Sequence, residues 1–210
     1  MTYNIHWGVG TDGEYNLDRI ADVIKAESPD IVLLQEVHDC TSRFNDNQTQ
    51  IIANKCGISY WIHAPTMQGY PHIKINDFVG SYGNAILSNI PFDDIRHVRF
   101  TQHKGYSISQ EPRAAVGIHL RDSDIWIWNC HLGADILGYE QSYAVQEWLD
   151  ACSHYDGIIG GDFNAMTWRA AYKYMISDGW SDSGGYGWTY PTFWPLQKID
   201  YIFLYFFWKL

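Results

Sequence analysis

The apolar positions at the start of the chain predict a strand, a helix and a second strand. Thr2 to Ile5 has the pattern of a short strand that begins almost at the first residue. From Asn16 to about Glu27, apolar residues recur at helical spacing behind a suitable N-cap. Pro29 ends this helix, and the apolar run Ile31 to Leu34 predicts a buried strand with Glu36 at its tip.

The middle of the chain is predicted to be mostly strand and loop. A second helix is expected over Thr49 to Lys55. Short strands are expected at Tyr60 to His63, Asn84 to Ser88 and His97 to Phe100. Arg113 to Leu120 and Asp124 to Cys130 flank the polar turn Arg121 to Ser123, and this arrangement predicts a β-hairpin.

The last third of the chain is predicted to combine two helices with two strands. Gln141 to Cys152 has one apolar face at helical spacing, and a shorter helix is expected over Trp168 to Ile176. Strands are predicted at Gly157 to Gly160 and at Ile199 to Leu204. Because the strands are too irregularly connected for a regular βαβ array, we expect an α/β (α+β) fold. In this fold, two packed and mainly antiparallel β-sheets have helices outside.

Length and composition favour one globular domain. The chain has 210 residues, of which 46% are hydrophobic and 18% charged, so we expect a single domain over residues 1–210. The sequence contains no apolar run of about 18 residues and no signal-peptide pattern. By default we therefore expect a soluble, cytoplasmic protein, while the sequence leaves the compartment and the oligomeric state open.

Net charge and aromatic content bear on the choice of substrate. A formal charge of -10 repels polyanions, which argues against long nucleic acids. Aromatic residues make up 16% of the chain and include ten Trp, which suit surfaces that stack on sugars, bases or lipid head groups. We interpret Trp61 to Tyr70 and Tyr186 to Trp194 as aromatic loops of this kind, and we assign most other rings to the core.

Polar side chains with oxygen atoms recur at the ends of the predicted strands. They are Asn4, Glu36, Asp162, Asn164 and Asp200. Taken singly, each is an ordinary solvated strand end or part of an Asx turn. Oxygen ligands of these types suit Mg²⁺ or Mn²⁺, and phosphoryl transfer uses such an ion to neutralise developing charge. Their recurrence therefore indicates hard-metal chemistry.

Six segments, in this order, resemble the signature motifs of the endonuclease/exonuclease/phosphatase superfamily. They are Thr2 to Ile5, Pro29 to Val37, Gly83 to Ser88, Asn129 to Leu132, Gly161 to Ala165 and Lys198 to Ile202. That superfamily contains nucleases of the pancreatic DNase type, abasic-site endonucleases, sphingomyelinases, inositol polyphosphate phosphatases and deadenylases. The segments Gln35-Glu36 and Gly161-Asp162-Phe163-Asn164 are the most specific, and Asn129 to Leu132 is the weakest.

The resemblance implies a four-layer α/β sandwich with a divalent metal, Mg²⁺ or Mn²⁺. Glu36 would be the main metal-ligating carboxylate. Asn4 and Asp200 would complete the surroundings of the metal, partly through water. Other members end with Ser-Asp-His after one more strand, where the Asp orients the His and the His assists proton transfer.

The same resemblance assigns catalytic and phosphate-binding roles. Asp162 would orient the attacking water, and Asn164 and His131 would hold non-bridging phosphate oxygens. Arg113, after Glu111-Pro112, is a further candidate for phosphate binding. Two alternatives stay open, because His131 also suits a core histidine and Arg113 also suits a surface ion pair.

The C-terminal part of the sequence departs from the superfamily pattern. Tyr201 to Leu210 contains neither an acid nor a histidine, and no adjacent Asp-His pair occurs in the chain. We therefore expect a domain truncated at its C-terminus, with the final strand or strands missing and the Ile199 to Leu204 strand lacking a neighbour. His6 and His38 are interpreted as structural rather than as replacements for the absent histidine.

Three functions are compatible with this pattern. The leading one is hydrolysis of a phosphodiester or phosphomonoester by a metal-activated water, with a lipid head group or a small phosphate ester favoured as substrate. A nuclease acting on DNA or RNA is a lesser alternative. A second class is a catalytically impaired domain that binds metal and phosphate, because the Asp-His pair is absent. A third is an aromatic-rich β-sandwich that binds carbohydrate.

Overall fold

The structure is a computed structural model that describes residues 1–41, 43–68, 74–75, 78–101, 111–134, 139–152, 157–185 and 187–205. The chain forms two compact units. Met1 and Tyr3–Phe92 form the first unit, and Thr2 and the residues from Asp93 onward form the second. Each unit contains one large β-sheet and two helices.

The first unit is built on a four-stranded sheet in the order β1-β2-β6-β3. In chain order its elements are β1 (Thr2–Asn4), a 3-10 turn (His6–Gly8), α1 (Leu17–Glu27), β2 (Ile31–Asp39), α2 (Gln48–Cys56), β3 (Tyr60–Gln68), β4 (Lys74–Ile75), β5 (Phe78–Val79) and β6 (Ser81–Ser88). The central strand β6 pairs antiparallel with both β2 and β3. β4 and β5 form a separate two-stranded antiparallel ribbon.

Helix α1 confirms the prediction from the apolar spacing. The Asn16 side chain caps its N-terminus by accepting a hydrogen bond from the Arg19 backbone N–H. Ile20 and Ile24 are buried and pack in one cluster with residues from α2, β2 and β6. Ser28 ends the helix in the left-handed conformation.

The second unit is built on a six-stranded sheet in the order β11-β12-β10-β9-β8-β7. In chain order its elements are β7 (Phe92–Arg99), β8 (Ala114–Leu120), β9 (Trp126–His131), α3 (Tyr139–Cys152), β10 (Gly157–Asp162), α4 (Ala170–Ser177), β11 (Ser181–Asp182) and β12 (Asp200–Tyr205). β8 and β9 form the predicted hairpin. β9 and β10 are parallel, whereas β10 and β12 are antiparallel.

Aromatic rings fill the core of the second unit. Trp128 of β9 and Trp148 of α3 are fully buried, and their ring centroids lie 6.2 Å apart. Gly117 on β8 makes room for this packing, since a Cβ atom there would lie 2.7 Å from the Trp128 ring. Phe163, directly after β10, and Tyr201 of β12 extend the cluster. This core fixes the strand ends that carry the candidate site.

Two sequence predictions are corrected by the structure. Trp61 to Gln68 belongs to strand β3 and is not an aromatic loop. Strand β12 has a neighbour on each side, because β11 pairs with Phe203 and Leu204. Tyr70, Tyr186 and the tail after Tyr205 lie outside the described residues. None of the helices in the described residues is long and apolar enough to cross a membrane.

Candidate active site

In the first unit, the structure brings Asn4 and Glu36 together on neighbouring strands. The Asn4 Nδ2 group donates a hydrogen bond to Glu36 Oε1 at 3.0 Å. The Asn4 Oδ1 atom accepts one from the His6 backbone N–H, also at 3.0 Å. Both ends of the Asn4 amide are therefore fixed, and the amide in turn orients the Glu36 carboxylate.

Glu36 lies in a β-bulge. The pairing of β2 with β6 shifts register between Leu34 and Val37, and Glu36 between them has a φ of 60°. A left-handed backbone at a residue other than glycine costs roughly 1–3 kcal/mol and is retained where the surroundings enforce it. Bulges commonly turn a side chain toward a functional site. This local geometry distinguishes Glu36 from an ordinary strand end.

The turn after β1 is also conformationally unusual. His6 and Trp7 have φ values of 44° and 60°. The buried Gln48 side chain donates to the Trp7 carbonyl at 2.7 Å and accepts from the His38 backbone N–H at 2.8 Å. The Arg43 guanidinium lies 4.1 Å from the centre of the Trp7 ring. Sequence reasoning missed Gln48, because an isolated Gln carries no pattern.

His38 is placed as a structural histidine. Its side chain is buried, and Nδ1 lies 2.6 Å from Thr41 Oγ1. Burial, followed by the charge of Arg43, lowers the pKa of His38 to about 4. The imidazole is therefore neutral at physiological pH, in agreement with its structural interpretation.

In the second unit, strand register alone places three candidate residues side by side. Asp162, the last residue of β10, pairs with His131 of the parallel strand β9. It also pairs with Asp200, the first residue of the antiparallel strand β12. Asn164 follows two residues after Asp162, and its backbone N–H donates to Asp162 Oδ1 at 2.9 Å. This contact is an Asx turn, and Asn164 has a left-handed φ of 46°.

The carboxylates of Asp162 and Asp200 form a like-charged pair. Burial, followed by the charge of Asp162, raises the pKa of Asp200 to about 7, and a hydrogen bond with Thr189 offsets part of this rise. The Thr189 Oγ1 atom also accepts from the Asp200 backbone N–H at 3.2 Å. Two carboxylates held together in this way disfavour simultaneous ionisation. A cation beside them would relieve the repulsion.

His131 is buried between a cation and an amide. Its Nδ1 lies 2.8 Å from Arg113 Nη1, and its Nε2 lies 3.2 Å from Asn164 Nδ2 and 3.7 Å from Asp162 Oδ2. Because a guanidinium only donates, Nδ1 faces it with a lone pair. Burial and then the Arg113 charge lower the pKa of His131 well below its ordinary value. His131 is therefore a neutral imidazole.

Arg113 is a buried cation with spare hydrogen-bonding capacity. Its side chain is only 9% exposed, and Nη2 forms an ion pair with Glu111 Oε2 at 2.6 Å. Among the described residues, none hydrogen bonds to its buried Nε. A guanidinium in this setting suits planar recognition of phosphate oxygens. Sequence reasoning missed Glu111, whose role depends on a contact that no spacing reveals.

The residue types in both units fit a hard divalent cation. In the described part of the chain, no three His, Cys, Asp or Glu side chains form a group able to hold a metal. Mg²⁺ usually keeps several waters and binds proteins through one or two carboxylates. The Asp162–Asp200 pair and the Asn4–Glu36 pair each offer oxygen ligands of this kind.

Comparison with known families gives one match over almost the whole chain. The family model described as "Endonuclease/Exonuclease/phosphatase family" matches residues 1–205. No curated protein matches the sequence.

Solved structures share the fold at low sequence identity. An endonuclease/exonuclease/phosphatase from Beutenbergia cavernae superposes with a TM-score of 0.75 and 23% identity, covering 96% of this chain and 62% of that one. The human Nocturnin catalytic domain with bound sulfate superposes with a TM-score of 0.67 and 19% identity, covering 96% of this chain and 79% of that one. A mannosyl-6-phosphatase from Bacteroides thetaiotaomicron superposes with a TM-score of 0.70 and 17% identity, covering 97% of this chain and 83% of that one. The chain thus spans less than two thirds of the first of these proteins, and the likeness confirms the predicted fold class.

Proposed function

The chain belongs to the Endonuclease/Exonuclease/phosphatase family, and from this premise we propose that it is a divalent-metal-dependent hydrolase of phosphoric esters. The observation that carries the proposal is the group formed by Asp162, Asp200, His131, Asn164 and Arg113 at adjoining strand ends. It combines paired carboxylates, which can accept a proton from the attacking water, with buried hydrogen-bond donors, which can hold the oxygens of a phosphate ester.

The carboxylates of this group are proposed to orient and deprotonate the attacking water. Asp162 Oδ1 accepts a hydrogen bond from the Asn164 backbone N–H. This hydrogen bond fixes the orientation of the carboxylate and so the direction of its second oxygen, Oδ2. In the proposed reaction this carboxylate orients the water and accepts its proton during attack on phosphorus. Its position depends on rigid strand pairing, so little reorganisation is needed.

The donor side of the group holds the phosphate. Arg113 supplies a buried positive charge, and Asn164 and His131 supply hydrogen-bonding groups beside it. In the proposed reaction these three contact non-bridging oxygens, whose negative charge is redistributed in the transition state. Donors fixed in a buried site stabilise such charge by several kcal/mol more than mobile water does.

The proposed holders of Mg²⁺ or Mn²⁺ are Glu36 and Asn4 within the first unit and Asp200 within the second. When bound, the cation polarises the phosphate and lowers the pKa of coordinated water. Asn4 contributes by orienting Glu36 through the 3.0 Å hydrogen bond. Asp200 contributes a carboxylate whose repulsion from Asp162 a cation would offset.

The neutral state of His131 has a consequence for the leaving group. Burial and Arg113 hold the pKa of His131 well below its ordinary value, so at neutral pH it has no extra proton to give. Esters with acidic leaving groups, such as aryl phosphates, are therefore the substrates that this site should cleave fastest. A catalytically impaired domain that retains metal and phosphate binding is the second candidate, favoured by the same observation.

Turnover of a soluble aryl phosphodiester and of an aryl phosphomonoester tests the proposal. Purified protein would be assayed with Mg²⁺ or Mn²⁺ and again with EDTA, beside a Glu36→Ala variant. Turnover that requires the metal and is lost in the variant supports the hydrolase. Metal binding by calorimetry without turnover supports the impaired domain, and failure of both contradicts the proposal.

A further inference from the structure

A loop in the second unit exposes five large apolar side chains within nine residues. We call the segment Trp188 to Gln197 the aromatic loop. Its exposed residues are Trp188 (62%), Tyr190 (53%), Phe193 (80%), Trp194 (68%) and Leu196 (56%). The other exposed large apolar side chains of the described residues are scattered along the chain, which is normal for a protein surface. A concentration of this kind marks a binding surface.

The aromatic loop is closed by its own hydrogen bonds. Five of the nine residues from Thr189 to Gln197 donate their backbone N–H within the loop. For example, Leu196 and Gln197 both donate to the Tyr190 carbonyl at 2.9 Å. Two more positions, Pro191 and Pro195, have no N–H to satisfy. A loop with most of its backbone N–H groups satisfied or absent enters the interface of a membrane at lower cost than an open loop.

The aromatic loop carries no charge. None of its ten residues is Asp, Glu, Lys, Arg or His, although the protein has a formal net charge of -10. An acidic protein is repelled by polyanions and by anionic membranes. An uncharged tip that combines Trp and Tyr with Phe and Leu instead suits a neutral, zwitterionic lipid surface, where amphipathic rings sit at the level of the head groups.

The base of the aromatic loop is tied to the candidate active site. Thr189 Oγ1 accepts hydrogen bonds from the backbone N–H groups of Ile199 and Asp200, both at 3.2 Å. The Ile199 carbonyl in turn accepts from the Phe163 N–H at 2.9 Å, next to Asp162. The loop and the paired carboxylates therefore form one connected structure. A phospholipid supplies in one molecule both an apolar layer for the loop and a phosphate ester for the site.

We propose that the aromatic loop inserts into the surface of a zwitterionic phospholipid membrane and thereby presents phospholipid esters to the residues around Asp200. The inference rests on the proposed function for its substrate, while the anchoring itself requires no turnover. Phe193, the most exposed of the five side chains, enters deepest. Burial of the Phe193 and Trp194 rings removes apolar surface from water and thereby favours reversible membrane binding.

Co-sedimentation with phosphatidylcholine vesicles in EDTA tests the anchor without catalysis. The double variant Phe193→Ser/Trp194→Ser removes two exposed rings. Trp168→Ser is the matched control, because Trp168 is 63% exposed and lies outside the aromatic loop. The full chain and the control are expected to bind the vesicles, and the double variant is expected to bind at least tenfold more weakly. Equal binding by the double variant, or no binding by the full chain, overturns the inference.

Two further readouts separate this inference from the proposed function. The double variant should hydrolyse a soluble aryl phosphodiester at the unaltered rate while losing at least tenfold on vesicle phospholipid. If the full chain cleaves the soluble ester but does not bind vesicles, only the inference fails; if it binds vesicles but cleaves nothing, only the function fails. If the loop mutations instead abolish self-association in sedimentation, or binding to a soluble oligosaccharide, the membrane inference is overturned.

Discussion

Glu36 in the first unit is presented by a bulge, whereas Asp162 in the second unit is presented by strand register. The bulge forces Glu36 to a φ of 60°, so its position depends on local backbone strain. Asp162 lies opposite Asp200 in a regular antiparallel pairing, so the strand pairing keeps the two carboxylates close despite their charge repulsion. Both arrangements hold a carboxylate residue in a backbone conformation or a charged environment that is unfavourable in the unfolded chain. A polar residue can therefore be kept in an unfavourable local state by backbone geometry, as at Glu36, or by strand pairing beside a like charge, as at Asp162.

The largest effect is expected from the register-placed carboxylate. Asp162→Asn keeps the size and the Asx turn but removes the acceptor for the proton of water. We expect kcat for a soluble aryl phosphodiester to fall about 10³-fold, as for other general bases, with the melting temperature maintained. Asp178→Asn is the matched control, because Asp178 is exposed beyond the end of α4. A kcat within threefold of the control would remove Asp162 from the proposed chemistry.

The next effect concerns the buried cation. Arg113→Met keeps much of the side-chain length but removes the charge beside His131 and leaves Glu111 without its ion pair. We expect kcat/KM to fall about 10²-fold. The pKa of His131, followed by NMR, should rise but stay below its ordinary value, because burial is the larger of its two causes. An unchanged pKa of His131 would show that the two side chains do not interact in solution.

A smaller effect isolates the strained backbone. Glycine adopts a left-handed φ without penalty, whereas alanine does not. Glu36→Gly should therefore be more stable than Glu36→Ala by about 1 kcal/mol, the reverse of the usual order of these residues within strands. Urea unfolding of the two metal-free variants measures the difference. Greater stability of the alanine variant would mean that the bulge relaxes and stores no strain.

The smallest effect isolates the charge repulsion. The pKa of Asp200 is raised to about 7, well above its ordinary value in an unfolded chain, so the folded state binds more protons than the unfolded state between these two pKa values. Stability of the metal-free protein should thus fall as the pH rises from about 4 to about 7. Asp200→Asn should remove this loss, so the variant should gain stability over the unmodified protein at pH 8 and almost none at pH 4. A pH-independent difference would assign the effect to something other than ionisation.

The sequence predicted those parts of the fold that local patterns determine. Helix α1 follows from the cap at Asn16 and its apolar spacing, and the β8–β9 hairpin follows from a polar turn between two apolar segments. The apolar run that predicted β2 ends at Leu34, yet the strand continues to Asp39. Periodicity fails there because the bulge at Glu36 shifts the register, and a bulge leaves no apolar pattern.

The candidate site could be predicted only in part from the sequence, because its side chains meet through contacts between distant parts of the chain. Asp162 and Asp200 could be proposed because both lie at the ends of predicted strands, but the strand pairing that places them opposite each other is a tertiary property. Glu111 and Thr189 were missed because their roles depend on contacts that no sequence pattern reveals. The residues after His63 were assigned to a loop because aromatic content alone does not distinguish an exposed loop from a half-buried strand.

Asp162 and Asp200 of the second unit are proposed to act together in one metal-dependent hydrolysis. Rates for an aryl phosphodiester with Mg²⁺ would be compared among Asp200→Asn, Asp162→Asn and the double variant. Residues that act as a unit give grossly non-additive losses. We expect the double variant to be about as slow as the slower single variant, and EDTA to reduce all of them to the same residual rate. Multiplied losses, or turnover that EDTA leaves unchanged, would contradict it.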